Sequence, residues 1–564
     1  MYKELTKTAR LELFKELFST AEKYYAEELE KMQRRMKQYL GSAEIDGSAE
    51  PALTVRNITY EIVESEISSN IPLPRVEPIS FSDIHDRCAK AVEQLCSSVR
   101  SRLPFEAMND CDERYTYILG GSVWFVEWDS QVEGGGDVKV HCLSPESFLP
   151  QPGVSDIDDM EYCFLHFSTT KGELVRHFGV KEKELRLAEC EYEYDGNFSA
   201  NDTVRIITVF YRDFEGDIGK FVFSGDLVLE DLPAYYMRKG EVCPVCGAKR
   251  GECQCGRGYK DGNLVNEKLI SKSGEEISLP YFVPKKFPIV IRRNTLDTSS
   301  LYGSSDCDKI RPQQQAINKV ESRILAKLLR SGITPVMPED ATLSVTNAVF
   351  GQVLKLKPGE SVDSYGKIDT TPDIMQDIAE ADRLYDQAKR IIGVSDALQG
   401  LDTTNVESGY ARQLKIAQAS SRLESKKRLK NLCYSRIYRL IFEHYLAFAD
   451  EERPLKYRDA LGRIHRSKFS RRDFIESNSL GEYRYCDDYL FTVDQSGESE
   501  YQRESLWQRN LESLETGTLG DKSSPEALLR YWQAQAKAHY PYASDNVEYF
   551  KELIKAQKTK KESE

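Results

Sequence analysis

No run in this chain approaches the roughly 18 apolar residues that a membrane-crossing helix requires. A cationic excess is missing too. Lys and Arg total 77 against 91 Asp and Glu over 564 residues, a formal net charge of −14. Proteins that coat nucleic acid tightly hold its phosphates on a basic surface, through counterion release. Any contact of this acidic chain with DNA is therefore expected to be local or weak. The start, Met1-Tyr2-Lys3-Glu4-Leu5, lacks the apolar core of a signal peptide. Gly-x-x-x-x-Gly-Lys-Ser/Thr, His-Glu-x-x-His and Gly-x-Ser-x-Gly do not occur. The phosphate cradle, the zinc-protease pair and the nucleophile elbow that those patterns build are thus not expected, nor is an enzyme.

What is present reads as a folded chain of about two to four structural units. Leu11, Phe14, Phe18, Ala21, Tyr25, Leu29, Met32 and Met36 recur at three and four residues, the stripe of a long core-facing helix. From about residue 115 the pattern becomes β. Ser122–Trp128, Asp137–Cys142, Glu161–Phe167, Val204–Tyr211 and Phe287–Arg292 are β-branched and aromatic runs between turn formers. A short helix is expected over Thr169–Phe178, and a hairpin over Lys220–Leu229 turning at Ser224-Gly225-Asp226. The fold class is α+β with mainly antiparallel sheet.

The 13 cysteines are an odd number. They fit a reducing compartment with mostly free thiols and one metal site. That site is Cys243-Pro-Val-Cys246 followed by Cys253-Gln-Cys255. The Cys-Pro-x-Cys-Gly half is a zinc knuckle, whose tight turn brings two thiolates to one ion. Four thiolates complete a closed tetrahedral Zn²⁺ site, structural because no position stays open for catalysis. The one-residue spacing of Cys253 and Cys255 is less usual but still chelates. Asp156, Asp158 and Asp159 also sit close together, and a solvated loop accounts for them better than a metal does.

Two helices of matched length come next. Pro312–Ser331 has Pro312 in its first turn, an apolar face of Ile317, Val320, Ile324 and Leu328, and Gly332 as its stop. Pro372–Ile392 has Thr371 as a cap, Asp373 at the positive end of the dipole and Gly393 as its stop. Each would be about 30 Å long. A β-like insert lies between them, including Val353–Lys357 and a Pro358-Gly359 turn. The polar stretch Val394–Ser408 leads to a long helix over Tyr410–Ala449. Arg412, Lys415, Arg422, Lys426, Lys427, Arg428, Lys430, Arg436 and Arg439 make that helix basic within an acidic chain. Its second half has an apolar face of Tyr434, Ile437, Ile441, Tyr445 and Phe448. Its cations either pair with acids on neighbouring segments or subunits, or contact DNA phosphate. Helices resume near residue 500, with Trp507, Leu511 and Leu514, then Leu528, Leu529 and Trp532.

Several of these segments carry a resemblance to the bacteriophage portal proteins, the ring-forming head–tail connectors of tailed double-stranded DNA phages. Ser147-Phe-Leu-Pro-Gln-Pro-Gly153 with Tyr162-Cys-Phe-Leu-His166 is similar to the family's wing. Leu301-Tyr-Gly-Ser-Ser-Asp306, Asp308 and Arg311-Pro-Gln-Gln-Gln-Ala-Ile-Asn318 resemble the approach to its first stem helix. The helix, β insert and helix that follow resemble stem, clip and stem. Glu407-Ser-Gly-Tyr-Ala-Arg412 resembles the end of its tunnel loop. The likeness runs from about 110 to 540, and it lies in the order and spacing of motifs that are each only moderately specific. It implies a wing over 1–303 with a zinc-knuckle insertion near 240–260, a stem helix at 304–334, and a clip at 335–369. A second stem helix at 370–393, a tunnel loop at 394–408, a further wing part at 409–499 and a short helical crown at 500–564 follow.

The resemblance further implies a self-assembled ring of about twelve subunits at one capsid vertex. Double-stranded DNA would pass through it during packaging and ejection. The large terminase subunit, head-completion or adaptor proteins, and major capsid and scaffolding proteins would dock on it. The protein would belong to the virion, and to the host cytoplasm during assembly, without a membrane. Asp396, Leu398, Leu401, Asp402 and Glu407 would lie in the tunnel loop, with the acids repelling phosphate. Arg412, Lys415, Arg422, Lys426 and Lys427 would face DNA or the next subunit. An acidic lining lets DNA slide, and the energy of translocation would come from a separate ATPase. The rival reading is a zinc-ribbon nucleic-acid-processing enzyme, supported by the cysteine cluster and the basic helix. The acidic balance and the missing catalytic constellation weigh against it.

Overall fold

The computed structural model describes all but residues 1, 3–4, 43–53, 81–82, 133–134, 182, 193–200, 243–259, 265, 271–275, 297–300, 331–332, 337–343, 349–350, 356–365, 370–372, 395–408, 459–463, 478–482, 495–499, 538–542 and 564. Among the described residues the helices are α1 (Lys7–Tyr39), α2 (Ile58–Glu66), α3 (Asp83–Arg102), α4 (Phe105–Leu119), α5 (Lys171–Phe178), α6 (Asp306–Arg330), α7 (Met375–Ile392), α8 (Gly409–Phe448), α9 (Glu500–Glu515), α10 (Pro525–Lys537) and α11 (Ala543–Ser563). Together with several antiparallel sheets they make a mixed α+β protein. None of these helices is long and apolar enough to cross a membrane. The chain divides into two compact units, Met1–Leu29, Ile67–Ser304 and Glu424–Glu564 in one, Glu30–Glu66 and Ser305–Leu423 in the other.

The first unit contains the two largest sheets among the described residues, beside several two-stranded ones. The larger has six strands; Tyr162–Thr170, Thr203–Arg212, Ile218–Ser224 and Leu227–Leu232 run antiparallel in sequence along it. Its hairpin turns at Gly225, which has φ 56°, beside the expected Ser224 and Asp226. The start of α1 covers this sheet. Phe14 meets the rings of Tyr211 and Phe221 at 5.2 and 5.4 Å, and Phe18 meets Phe164 at 5.3 Å. Leu11, Phe14, Phe18, Ala21, Tyr25 and Met32 of the expected stripe are all buried. Short α5 begins at Thr170, whose hydroxyl accepts from the Glu173 amide, and ends at left-handed Gly179.

The second sheet pairs Gly121–Asp129 with Asp137–Leu143 and with Ile289–Arg293. An extended hydrophobic core packs on it. Trp124 stacks near Phe105 of α4 at 6.2 Å and meets Tyr434 of α8 at 5.5 Å. From α3 come Val92, Leu95, Cys96 and Val99; from α8 come Ile437, Tyr438, Ile441, Phe442 and Tyr445. The second half of α8 therefore differs from the one-sided helix that the pattern suggested. Cys433, Tyr434, Ile437, Tyr438, Leu440, Ile441, Phe442, His444, Tyr445, Leu446 and Ala447 are all buried, so it is a core helix enclosed on nearly every side. Its few charged residues hid this in the sequence.

In the second unit, α6 and α7 pack together. Ile310 and Ile317 join Ala388, Ile392 and Val394, with Ile58 and Ile62 of α2 completing the cluster. Truncating one such buried isoleucine typically costs about 2–5 kcal/mol. The expected start of α6 at Pro312 is corrected: the helix begins six residues earlier, at Asp306, with Asp306 and Asp308 in its first turn. Those acids suit the positive end of the dipole, and Asp308 is held by the Arg35 guanidinium at 2.7 Å. Proline inside the helix then costs one backbone bond. Helix α7 begins at Met375 rather than Pro372, with the Asp373 carboxylate accepting from the Met375 amide at 3.0 Å. It stops where expected, at Gly393, φ 94°.

Candidate functional site

The second unit carries an excursion that the sequence alone made legible only in outline. Beyond α6, strand Ile333–Val336 pairs antiparallel with Gly366–Asp369, which returns toward α7. Nested between these two strands in sequence, Ser344–Ala348 and Gly351–Lys355 form a hairpin. Helix, strand, hairpin, strand and helix thus follow one another. The Pro358-Gly359 pair lies outside the described residues. Ion pairs join the two helices: Arg323 and Lys327 of α6 both reach the Asp377 carboxylate near the start of α7. Buried Gln314 ties α6 to α2 by accepting from the Thr59 amide and hydroxyl, each at 3.0 Å, and donating to Asn318 at 2.9 Å.

The segment Leu301–Asp306 that leads into α6 is fixed by close contacts. Gly303 lies where a Cβ would stand 2.4 Å from the Gly120 carbonyl oxygen, so no other residue fits without backbone movement. Tyr302 is buried and its hydroxyl donates to the Phe148 carbonyl. Asn294 donates to the Ser304 carbonyl at 3.0 Å.

A second concentration of polar chemistry is a buried ionic cluster in the first unit. Arg292 donates to Asp112 and, at 2.7 Å, to Glu113. Lys430 of α8 stands 3.0 Å from the same Glu113 and donates to the Asn70 carbonyl at 2.6 Å. Asp112 also accepts from the Trp124 indole at 2.9 Å and from Ser122. Glu113 accepts from the Ser68 amide at 2.9 Å. Burial would raise the Glu113 carboxyl, but Arg292 and Lys430 outweigh it and hold the group below its ordinary value. Two carboxylates and two cations balance, and each of the four carboxylate oxygens has a donor. The arrangement suits a rigid strut rather than a reacting centre.

The expected site residues fall in several places. Cys243, Cys246, Cys253 and Cys255 lie outside the described residues, as do Asp396, Leu398, Leu401, Asp402 and Glu407. Arg412, Lys415 and Arg422 lie on α8 by backbone, with their side chains outside the description. Lys426 stands over the Tyr117 ring at 4.9 Å, and Lys427 is exposed. Farther along α8 the cations have acidic neighbours in the same chain. Arg428 reaches Glu424 at 3.6 Å, Lys430 reaches Glu113, and Arg439 reaches Glu443 at 2.8 Å. Asp156 caps a short turn by accepting from the Asp158 amide at 3.1 Å, the geometry of a solvated loop.

One grouping escaped sequence reasoning. His85, Glu476 and Cys486 converge so that one ligating atom of each lies within 4.8 Å of the others. Only His85 and Cys88, spaced by one helical turn, hinted at it. A scan against protein-family models and a search of curated proteins find no match to the chain.

Proposed function

We propose that the chain is one subunit of a phage portal, a ring at one capsid vertex through which double-stranded DNA is packaged and ejected. The observation that carries this reading is the excursion of the second unit: two packed helices bracketing a nested pair of small antiparallel strand pairs, followed by the long helix α8. Neither strand pair has enough chain to bury a core of its own. They need partners, and neighbouring copies of the same element around a ring supply them. The paired helices would be the stem, and the insert the clip on which a packaging ATPase and later the head-completion proteins dock.

The charge supports the same reading. An acidic subunit repeated around a channel repels phosphate and lets DNA slide, where a basic lining would hold it. The protein would thus do its work through shape and field, with the energy of translocation supplied by the docked motor. Structural zinc on the four-cysteine cluster would fold a small insertion of the wing.

Imaging by negative stain together with mass photometry tests the proposal. Rings with a central hole, near 770 kDa for about twelve copies of a 64.5 kDa chain, are expected. A monomer or dimer under all assembly conditions would overturn it and favour the nucleic-acid-processing alternative.

A further inference from the structure

His85 lies in the first turn of α3. Glu476 sits on the short strand Ile475–Ser477, and Cys486 follows directly on its antiparallel partner Tyr483–Tyr485. A separation of 391 residues divides His85 from Glu476, yet the His85 Nε2 meets the Glu476 carboxylate directly. The Cys486 amide donates to the Phe474 carbonyl at 2.7 Å, which fixes the cysteine against the segment that carries Glu476. The cysteine is buried, while the side chains of His85 and Glu476 are 19% and 33% exposed. Sulfur thus forms the floor of the grouping, nitrogen and oxygen form its walls, and one side faces solvent.

We propose that His85, Glu476 and Cys486 bind one divalent transition cation of the zinc type, with water in the remaining position. The donor set decides the class of ion. Calcium and magnesium take oxygen ligands, whereas a mixture of imidazole, thiolate and carboxylate suits zinc and its neighbours. Tetrahedral zinc would place these donors roughly 3.3–3.8 Å apart. Their present mutual approach to within 4.8 Å leaves only small side-chain rotations to make.

The charges also balance. A dication, one thiolate and one carboxylate sum to zero with a neutral imidazole, so the occupied site leaves no net charge in a half-buried place. Binding releases the Cys486 thiol proton to solvent, and no electron moves. Burial first, and then the Glu476 carboxylate, push that thiol up to about 12. Cys88, one turn along α3, is engaged elsewhere: its Sγ donates to the Asp473 carbonyl at 3.4 Å. The bound ion would pin the start of α3 to the strand pair near residue 480, closing a very long loop in the chain.

This site is independent of the four-cysteine cluster and of the portal reading, and its test keeps them apart. Full-length wild type, Cys486→Ser, Cys243→Ser and the double variant are stripped with chelator, reloaded with zinc against a competing dye, and assayed for bound metal. Cys486→Ser should lose one zinc per chain relative to wild type. Cys243→Ser should retain that ion, and the double variant should lose it. Glu476→Gln and His85→Gln, which keep side-chain size, should weaken the same ion by at least about 100-fold, since disturbing even an outer-shell partner costs 10–100-fold. Circular dichroism shows whether each variant is folded. Equal zinc in folded Cys486→Ser and wild type overturns the proposal. So does a Cys243→Ser protein that, with all three ligands intact, binds no zinc. Preference for magnesium or calcium at this site overturns the assigned class of ion.

Discussion

Replacing Arg292 by Met should unbalance the ionic cluster that joins α4, the strand Ile289–Arg293 and α8. Methionine keeps most of the apolar stem, so the change removes charge more than volume. Asp112 and Glu113 would remain, both essentially without solvent contact, with Lys430 as the cation left beside them. Removing one partner of a buried ion cluster costs about 3–5 kcal/mol, because the remaining charge stays desolvated. The loss should depend on pH. In the wild type Glu113 is held below its ordinary 4.5. Its stabilisation is complete above that value and fades as pH falls through the folded value. Without Arg292, burial prevails and a carboxyl rises above its unfolded value. That group then favours folding only when protonated, and loses this contribution as pH rises. The gap between variant and wild type should therefore widen from about pH 4 to about pH 7. Denaturant unfolding followed through tryptophan fluorescence measures it, since Trp124 stands in this core. Hydrogen exchange over residues 112–128 isolates the local effect if the chain unfolds in stages. The double variant Arg292→Met/Glu113→Gln restores one acid to one cation and should recover at least about 1 kcal/mol. A gap under about 1 kcal/mol at neutral pH, or one that does not change with pH, would refute the reasoning.

The remaining expectations concern the segments on which the portal reading depends. Purified protein should carry zinc at Cys243, Cys246, Cys253 and Cys255, and Cys243→Ser should release one ion per chain by elemental analysis; equal metal content in both proteins would count against the knuckle. Deleting residues 340–360 should leave the first unit folded, by circular dichroism and proteolysis, while abolishing capture of the packaging ATPase in a pull-down; unchanged capture refutes the docking role. Asp396→Lys with Asp402→Lys should leave rings intact by electron microscopy but slow or stall DNA packaging, as the added cations hold phosphate; packaging at the normal rate and length would mean that these residues do not touch moving DNA. Gly303→Ala should destabilise the protein by about 1–3 kcal/mol in thermal melts, because its Cβ would press on the Gly120 carbonyl; an unchanged melting temperature would show that the backbone yields there.

How far the sequence could be read depended on how local the signal was. The stop of α7 at Gly393, the short helix α5 and the hairpin turn at Gly225 are each decided within a few residues, and each was legible. Helices α3 and α4 went unread. The buried stripe of α3 is made of Cys88, Ala89, Val92, Leu95, Cys96 and Val99, several of them weak as hydrophobic markers, between charged neighbours. The start of α6 was misplaced because Pro312 looks like a beginning, although proline at the seventh position sacrifices only one backbone bond. Charge was the least legible feature. Lys430 and Lys427 stand three residues apart on one helix, yet one is buried against Glu113 and the other is exposed. Nothing in the local sequence separates them, because the partners of Lys430 lie hundreds of residues away. The same distance hid His85 from Glu476. A basic stretch of helix is thus evidence of a nucleic-acid surface only after its internal partners are subtracted. On α8 that subtraction removes Arg428, Lys430, Arg436 and Arg439, each with an acid of this chain beside it. Any guidance of DNA by α8 therefore has to come from its first half, where Arg412, Lys415 and Arg422 follow Asp396 and Asp402 in the sequence.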